Sequence, residues 1–309
     1  MRTRRKLSSS NSMSSGHRTV LLQEAINALH IEPGTYVDAT LGAGGHAQAI
    51  IDALGPQSTF VGLDADSEAI EAAQKKFADT KPKVILVHAN FRALKNVLSM
   101  HGIDAINGIV FDLGWRIEQL IGRGFSFDKD EPLLMTFDQH PVADALTARE
   151  IVNTWDEPHI ADILYGWGGE HFSRRIAKAI VERRTEKPIE RTVELAELVS
   201  HATPVWYRRR RIHPATKTFQ ALRIAVNDEI GALREGLVSA RDVLADKGRI
   251  VVVTFHSTED REVKHLFRAW ESEGAGKVLT KKPITASEQE LSENPRARSA
   301  KLRIFQKTL

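Results

Sequence analysis

The segment Val37-Asp38-Ala39-Thr40-Leu41-Gly42-Ala43-Gly44-Gly45-His46 decides the fold. Residues 35–41 form an apolar run that reads as a buried strand, and a glycine cluster follows at 42, 44 and 45. From 46 to 54, Ala47, Ile50, Ile51 and Leu54 recur at helical spacing. Strand, glycine turn and helix together build a nucleotide site in an α/β sheet. The glycines let the backbone pass close to a ligand, and the helix amino end offers free N–H groups. The plainer alternative is an ordinary tight turn, with Asp38 and Asp64 serving as helix caps.

The next segment favours the ligand reading. Phe60-Val61-Gly62-Leu63-Asp64 is a second short apolar strand ending in an acid, twenty residues after Gly44. At that spacing a carboxylate on strand two reaches a ribose diol. The turn is Asp-x-x-x-Gly-x-Gly, not Gly-x-Gly-x-x-Gly. An acid at Asp38 suits a ligand with a positive amino-acid end, which points to S-adenosylmethionine rather than a dinucleotide. A nicotinamide dehydrogenase is the weaker alternative.

The same rhythm continues outward. Residues 20–29 and 67–77 read as helices, the second capped by Asp66 or Ser67. Residues 84–87 read as a third strand, 94–101 as a helix and 108–115 as a fourth strand. Four strands alternating with helices predict an α/β fold with a parallel, doubly wound sheet. Between 117 and 212 the alternation stops. Thr147-x-x-Glu150 is a capping box, and 172–184 and 192–201 are further helices, so this stretch reads as an all-helical insertion. The sheet then resumes. Residues 216–244 read as two helices meeting near Gly231, 248–255 as a fifth strand, 258–270 as a helix and 302–305 as a last edge strand. The expected division is a tail at 1–16, a sheet domain at 17–116 and 213–309, and a helical substrate-recognition domain at 117–212.

The chain has 309 residues, 42% of them hydrophobic, enough for a large core in one or two domains. Lys and Arg number 43 against 40 Asp and Glu, a net charge of +3 that permits a nucleic-acid partner without selecting one. The absence of cysteine excludes disulfides, thiolate zinc sites, iron–sulfur clusters and cysteine nucleophiles, and fits a reducing compartment. No apolar run is long enough to span a bilayer, so no membrane partner is expected. Residues 1–16 read as a flexible basic tail on a cytoplasmic protein. Their Arg- and Ser-rich, acid-free composition also suits a transit peptide, or a start upstream of an initiator at Met13.

Ligands of open α/β sheets bind beyond the carboxyl ends of the strands. Asp38, Gly42, Gly44, Gly45, His46, Asp64, Asn90, Phe91 and Asp112 fall there, and are the candidate cofactor-binding residues. Adenine would pack on Phe91, with Asn90 or Asp112 at its amino edge. Asp112, Trp115 and His256 are the catalytic candidates. Asp112 is an acceptor for the N–H of a target amine, and Trp115 a platform for its base. His256 either shuttles the released proton or hydrogen-bonds the backbone. Asp64-Ala65-Asp66 mimics a metal-binding Asp-x-Asp, but one acid faces the ribose and the other caps a helix, and the histidines lack paired metal spacing, so no metal is expected. Two basic clusters suggest RNA. Arg208, Arg209, Arg210 and Arg211 adjoin Trp206 and Tyr207, and Arg296 and Arg298 precede Lys301 and Arg303.

Several segments together resemble a known family. They are residues 17–22 (His-Arg-Thr-Val-Leu-Leu), the turn at 38–46, 123–127 (Arg-Gly-Phe-Ser-Phe), 172–177, 213–223, 255–261 and 293–299. The chain resembles the bacterial small-subunit (16S) rRNA cytosine-N4 methyltransferase family called RsmH or MraW. The resemblance implies a Rossmann-like class I methyltransferase sheet interrupted by a helical insertion. It also implies S-adenosylmethionine-dependent methylation of a cytidine near the decoding centre of small-subunit rRNA. The family's cofactor contacts fall on Gly44, Gly45, His46, Asp64, Phe91, Asp112 and Gln119, each of the expected type. Where the family usually has Val-Ser-Ser-Pro after Asp112-Leu-Gly, this chain has Trp115-Arg-Ile-Glu118. In place of Asp-Met-Arg-Met-Asp it has Leu134-Met-Thr-Phe-Asp138. Two alternatives follow from those loops: an RNA methyltransferase with a shifted target, or a catalytically impaired rRNA-binding assembly factor. Monomer and homodimer both stay open.

Overall fold

The computed structural model describes residues 18–114, 120–138 and 145–308. The basic tail, Trp115 and Gln119 lie outside the described residues.

Seven strands form one sheet: β1 (Thr35–Asp38), β2 (Thr59–Asp64), β3 (Lys83–His88), β4 (Ile106–Asp112), β5 (Leu244–Thr254), β6 (Gly276–Val278) and β7 (Lys301–Lys307). Their order is β3-β2-β1-β4-β5-β7-β6. The first five run parallel, and β7 is antiparallel to both β5 and β6. The expected edge strand at 302–305 is therefore an inner strand. The edge is β6, whose three residues are too short to show a period.

Both faces of the sheet are covered, so its inner strands read as unbroken apolar runs. Helices α1 (Leu22–Leu29), α2 (Gly45–Ala53) and α3 (Ser67–Lys76) pack on one face, over Tyr36, Phe60, Val110, Val251 and Val253. The other face carries α4 (Leu94–Met100), which follows a 3-10 turn at Phe91–Ala93. Val37, Val61, Ile109, Phe111, Ile250 and Val252 are the strand residues on that side. The assignment alternates residue by residue, as strand geometry requires.

The helical region holds α5 (Ala148–Thr154), α6 (Glu157–Gly166), α7 (Ser173–Glu186), α8 (Thr192–Ala202) and α9 (Val205–Arg208). They share a core of their own around Ile151, Leu164, Ile176, Ile180, Leu195 and Val199. Thr147 caps α5, its hydroxyl accepting the Glu150 N–H at 3.1 Å. Helix α6 escapes sequence reading because Trp155-Asp156-Glu157-Pro158 looks like a loop. Asp156 is in fact its cap and Pro158 sits in its first turn, where no N–H is needed.

Next come α10 (Thr216–Asn227) and α11 (Glu229–Val243). The break between them is at Asp228, which adopts φ 45°, and not near Gly231. Helix α10 gives Phe219 and Leu222 to the helical core, while α11 gives Leu233, Leu237 and Ala240 to the sheet's second face. Helix α12 (Ser257–Ser272) completes that face, and α13 (Glu288–Glu293) lies against the start of the chain.

Candidate functional site

The glycine turn is threaded between two strand ends. Ala39 N–H donates to Val110 O and Leu41 N–H to Leu63 O, both at 2.9 Å. Gly42 and Gly44 have φ of 51° and 70°, a region that favours glycine. Gly45 leaves no room for a side chain, since a Cβ there would lie 1.7 Å from Thr19 Oγ1. The turn therefore keeps its backbone bare at the amino end of α2.

Acids surround it. Asp64, at the tip of β2, accepts the Gly42 N–H at 2.7 Å and the Asp66 N–H at 2.8 Å. Asp66 in turn caps α3 through the Glu68 N–H. Asp112, at the tip of β4, donates its N–H to Thr40 Oγ1 at 2.6 Å. Its Oδ2 stands 3.5 Å from His46 Nδ1, and His46 is only 3% exposed. Asp112 Oδ1 and His46 Nε2 are buried with no hydrogen-bond partner among the described residues. Two such orphans on adjoining side chains mark a place where a polar ligand is expected.

Asp38 lies beneath this pair. It is 1% exposed, lines neither of the two cavities at the rim, and accepts the Thr40 N–H at 3.1 Å. Sequence reading places Asp38 on the cofactor; in the structure it is the last residue of β1, buried, and holds the turn through the Thr40 N–H. Burial pushes its carboxyl up to about 7, against the opposing pull of His46 and the Thr40 N–H. Burial also opposes a charge on His46, but the Asp112 carboxylate outweighs it, with help from Asp38 and the Val20 backbone, and holds the imidazole above its ordinary value.

Two cavities open at the rim. The first is lined by Thr40, Gly42, Asp64, Asn90, Phe91, Asp112, Leu233 and, among others, Phe137, Asn227, Glu229 and Glu259. Phe91 meets Phe111 edge-on at 5.6 Å and packs against α11 at Gly236, so it is both core and wall. Asn90 caps the 3-10 turn through the Arg92 N–H at 2.9 Å. Phe137 belongs to the helical region. Its N–H donates to Asn227 Oδ1 at 2.9 Å, and Arg123 reaches its carbonyl at 2.8 Å. Sequence reading missed this wall, because only the fold brings residues 137 and 227–233 over the strand tips.

The second cavity, of about 310 Å³, shares Thr40, Gly42, Asp112 and Gly114 with the first. Arg18, Thr19, His46, Phe255 and Arg296 line the rest of its wall.

The structure does not bring His256 to either cavity. Its Nδ1 accepts the Glu259 N–H at 3.3 Å as the cap of α12, and its Nε2 faces Glu259 Oε1 at 3.0 Å. Of the two readings offered for His256, the ring's place at this helix start matches the backbone hydrogen bond. Glu229, His256 and Glu259 carry possible ligand atoms within 4.8 Å of one another. Arg223 already sits in that cluster, bonded to Glu229 at 2.8 and 3.0 Å, so a guanidinium supplies the positive charge there.

The basic clusters divide. Arg208, Arg209, Arg210 and Arg211 are exposed. Trp206, 56% exposed, stands edge-on to Phe172 at 5.9 Å and to Tyr207 at 5.7 Å, with Arg210 over its ring at 4.9 Å. Tyr207 anchors the group by donating to buried Glu170 Oε2 at 2.7 Å, and burial with that bond pushes its hydroxyl up to about 12. In the second cluster Lys301 and Arg303 are bound to Asp260, at 3.2 and 2.6 Å, and hold β7 to α12. Arg296 reaches the second cavity, whereas Arg298 lines neither.

A parallel sheet of this order, with β7 entering antiparallel between β5 and β6 and a glycine turn beneath a β2 acid, defines a class I methyltransferase. The model of the MraW methylase family matches residues 14–308. A ribosomal RNA small subunit methyltransferase H from Brevibacillus brevis is 43% identical over 309 residues, covering 94% of this chain and 98% of that one. Its namesake from a Paenibacillus species is 44% identical over 315 residues, covering 94% and 99%. A solved rRNA methylase from Streptococcus thermophilus aligns over 93% of this chain and 94% of that chain, at 10% identity and a TM-score of 0.42. The chain belongs to the MraW methylase family. No helix among the described residues is long and apolar enough to cross a membrane.

Proposed function

We propose that the protein methylates the exocyclic N4 of a cytidine in small-subunit rRNA, with S-adenosylmethionine as donor. The observation that carries this is the pair of buried atoms without a hydrogen bond among the described residues, Asp112 Oδ1 and His46 Nε2, beside a glycine-rich turn. The residues present fit the cofactor. Asp64, oriented by two backbone N–H groups, suits a ribose diol, and Asn90 and Phe91 suit adenine. Asp112, with the bare amino end of α2, suits a zwitterionic amino-acid end. The cofactor supplies a methyl group on a sulfonium: its bond to sulfur breaks as the bond to N4 forms, and a neutral thioether leaves.

The protein's own share is placement. An aromatic amine has its lone pair delocalised into the ring. Asp112 would accept an N–H of that amine, localise its lone pair on nitrogen and take the released proton. Thr40 fixes the Asp112 backbone through its N–H, and His46 stands beside the carboxylate. Positioning accounts for most of the acceleration in such a displacement. Residues 117–212 serve as the RNA-binding unit in this reading, through Trp206 and Arg208 to Arg211, in a cytoplasmic protein. The relatives named for the small-subunit rRNA reaction support the substrate.

The test is nucleoside mass spectrometry after incubation of the protein and S-adenosylmethionine with small ribosomal subunits lacking base methylation. N4-methylcytidine at one site is expected. Subunit binding without any methylated nucleoside would return the chain to an assembly-factor role.

A further inference from the structure

A third cavity, of about 370 Å³, lies between α6 and the start of α7 and shares no lining residue with the two at the rim. Asp162 and Tyr165, three apart on one face of α6, form one wall. Ser173, Arg174 and Arg175, the first residues of α7, form the other.

The start of α7 is left open. Phe172 stands at its cap position and offers no side-chain hydrogen bond, so the N–H groups of Arg174 and Arg175 have no partner among the described residues. Buried Glu170 is already engaged: its Oε1 accepts the Phe172 N–H at 2.8 Å and its Oε2 the Tyr207 hydroxyl at 2.7 Å. Ser173 is only 6% exposed, and its hydroxyl forms no hydrogen bond with a described residue. A nearly buried hydroxyl without a partner marks a place for a polar ligand, and the free N–H groups beside it favour an anion. Both arginines are exposed and form no ion pair with a described residue, and a guanidinium meets phosphate oxygens in fork geometry. The turn that joins the two walls is fixed, with Glu170 N–H donating to Leu164 O at 3.0 Å and Lys217 Nζ to Gly169 O at 2.9 Å.

We infer that this cavity seats a backbone phosphate of small-subunit rRNA at a nucleotide other than the target. Ser173, Arg174, Arg175 and the open helix end hold the phosphate. The ring of Tyr165, 63% exposed, takes the adjoining base. Asp162, the cavity's one acid, suits a ribose hydroxyl, which a bare phosphate lacks. Phe172 lines the cavity and also meets Trp206 and Tyr207 edge-on at 5.9 and 5.0 Å, so a strand crossing the α9 face reaches the cavity directly. This rests on the functional reading above, because the partner is the same RNA.

The experiment measures filter-binding affinity for small ribosomal subunits lacking base methylation, kcat on them, calorimetric affinity for S-adenosylhomocysteine, and Tm. Arg174→Gln with Arg175→Gln is expected to weaken subunit binding about ten- to a hundredfold, the usual worth of hydrogen bonds to a charged group. The slope of log affinity against log salt should fall by about 0.7, one single-strand phosphate. Cofactor affinity and kcat at saturation should not change. Ser173→Asp places a negative charge in the site while suiting the helix amino end, so it should weaken subunit binding at least tenfold with Tm unchanged or higher. Unchanged subunit affinity in both variants would overturn the inference, as would a loss of S-adenosylhomocysteine affinity. If the unaltered protein methylates nothing while the variants still lose subunit affinity, the functional reading has failed and the phosphate site stands.

Discussion

The rim of the sheet and the α9 face of the helical region use polar residues in opposite ways. At the rim, Asp38, His46 and Asp112 are packed together, and two of their atoms have no hydrogen-bond partner among the described residues. On the α9 face the arginines stand in solvent around an exposed tryptophan, and the one buried polar contact, Tyr207 to Glu170, is fully made. Orphaned polar groups in a dry site are costly, and a site keeps them where a ligand's charge will meet them. Solvated charges cost little and act additively on a polyanion. In the proposed function, that difference corresponds to chemistry at the rim and RNA affinity on the helical face.

The sharpest way to break that division is Asp112→Ala. It should lower kcat by about a hundred- to a thousandfold, the usual effect of removing one preorganised polar group from a reacting centre, with RNA affinity intact. A variant that keeps its turnover, read by methyl incorporation, moves the chemistry elsewhere. The converse change replaces Arg208, Arg209, Arg210 and Arg211 with glutamine. The slope of log affinity against log salt should fall by about three, at roughly 0.7 per single-strand phosphate, with S-adenosylhomocysteine binding unaffected. An unaltered slope in a filter-binding titration would falsify the phosphate role.

Asp64→Ala sharpens the rim. Cofactor affinity should drop by about 1–3 kcal/mol, since the carboxylate is lost both to the ribose and to the Gly42 N–H. Equal calorimetric affinities would exclude the diol contact. The smallest effect concerns pH. An acid whose folded value is raised to about 7 from 3.8 is ionised more readily in the unfolded chain, so its burial penalty grows as pH rises through that window and then levels off. Asp38→Asn should therefore flatten the decline of the urea midpoint between those two pH values. An unchanged profile would show that another group sets it.

Much of the sheet half was legible. Residues 35–112 alternate strand and helix, and of the two cap candidates Asp66 and Ser67 it is Asp66 that holds the Glu68 N–H at the start of α3. The acids at 64 and 112 and the ring at 91 stand at strand tips because parallel strands deliver their last residues to one rim. What stayed hidden depends on packing between distant residues. Nothing local shows that Asp38 turns inward, that His256 is spent on a helix start, or that Phe137 closes the cavity from the helical side. Arg303 read as a surface cation because the pattern of β7 does not reveal that Asp260 lies beneath it. The break at Asp228 was displaced to Gly231, since glycine is the stronger breaker by propensity; an aspartate at φ 45° is one of the few side chains that tolerates the same conformation.

That aspartate is also a joint. On its amino side α10 is bedded in the helical core, and on its carboxyl side α11 is bedded against the sheet and supplies Leu233 to the first cavity. Arg92, from the turn that carries Phe91, binds its carboxylate and also reaches Glu235 on α11 at 2.9 Å. A rotation about two backbone angles of one residue would therefore act as a crank. In the proposed function, a tilt of the helices that carry Trp206 and its arginines would pass through Asp228 to the cavity wall at Phe91 and Leu233, and a load on one side would be felt as torque on the other.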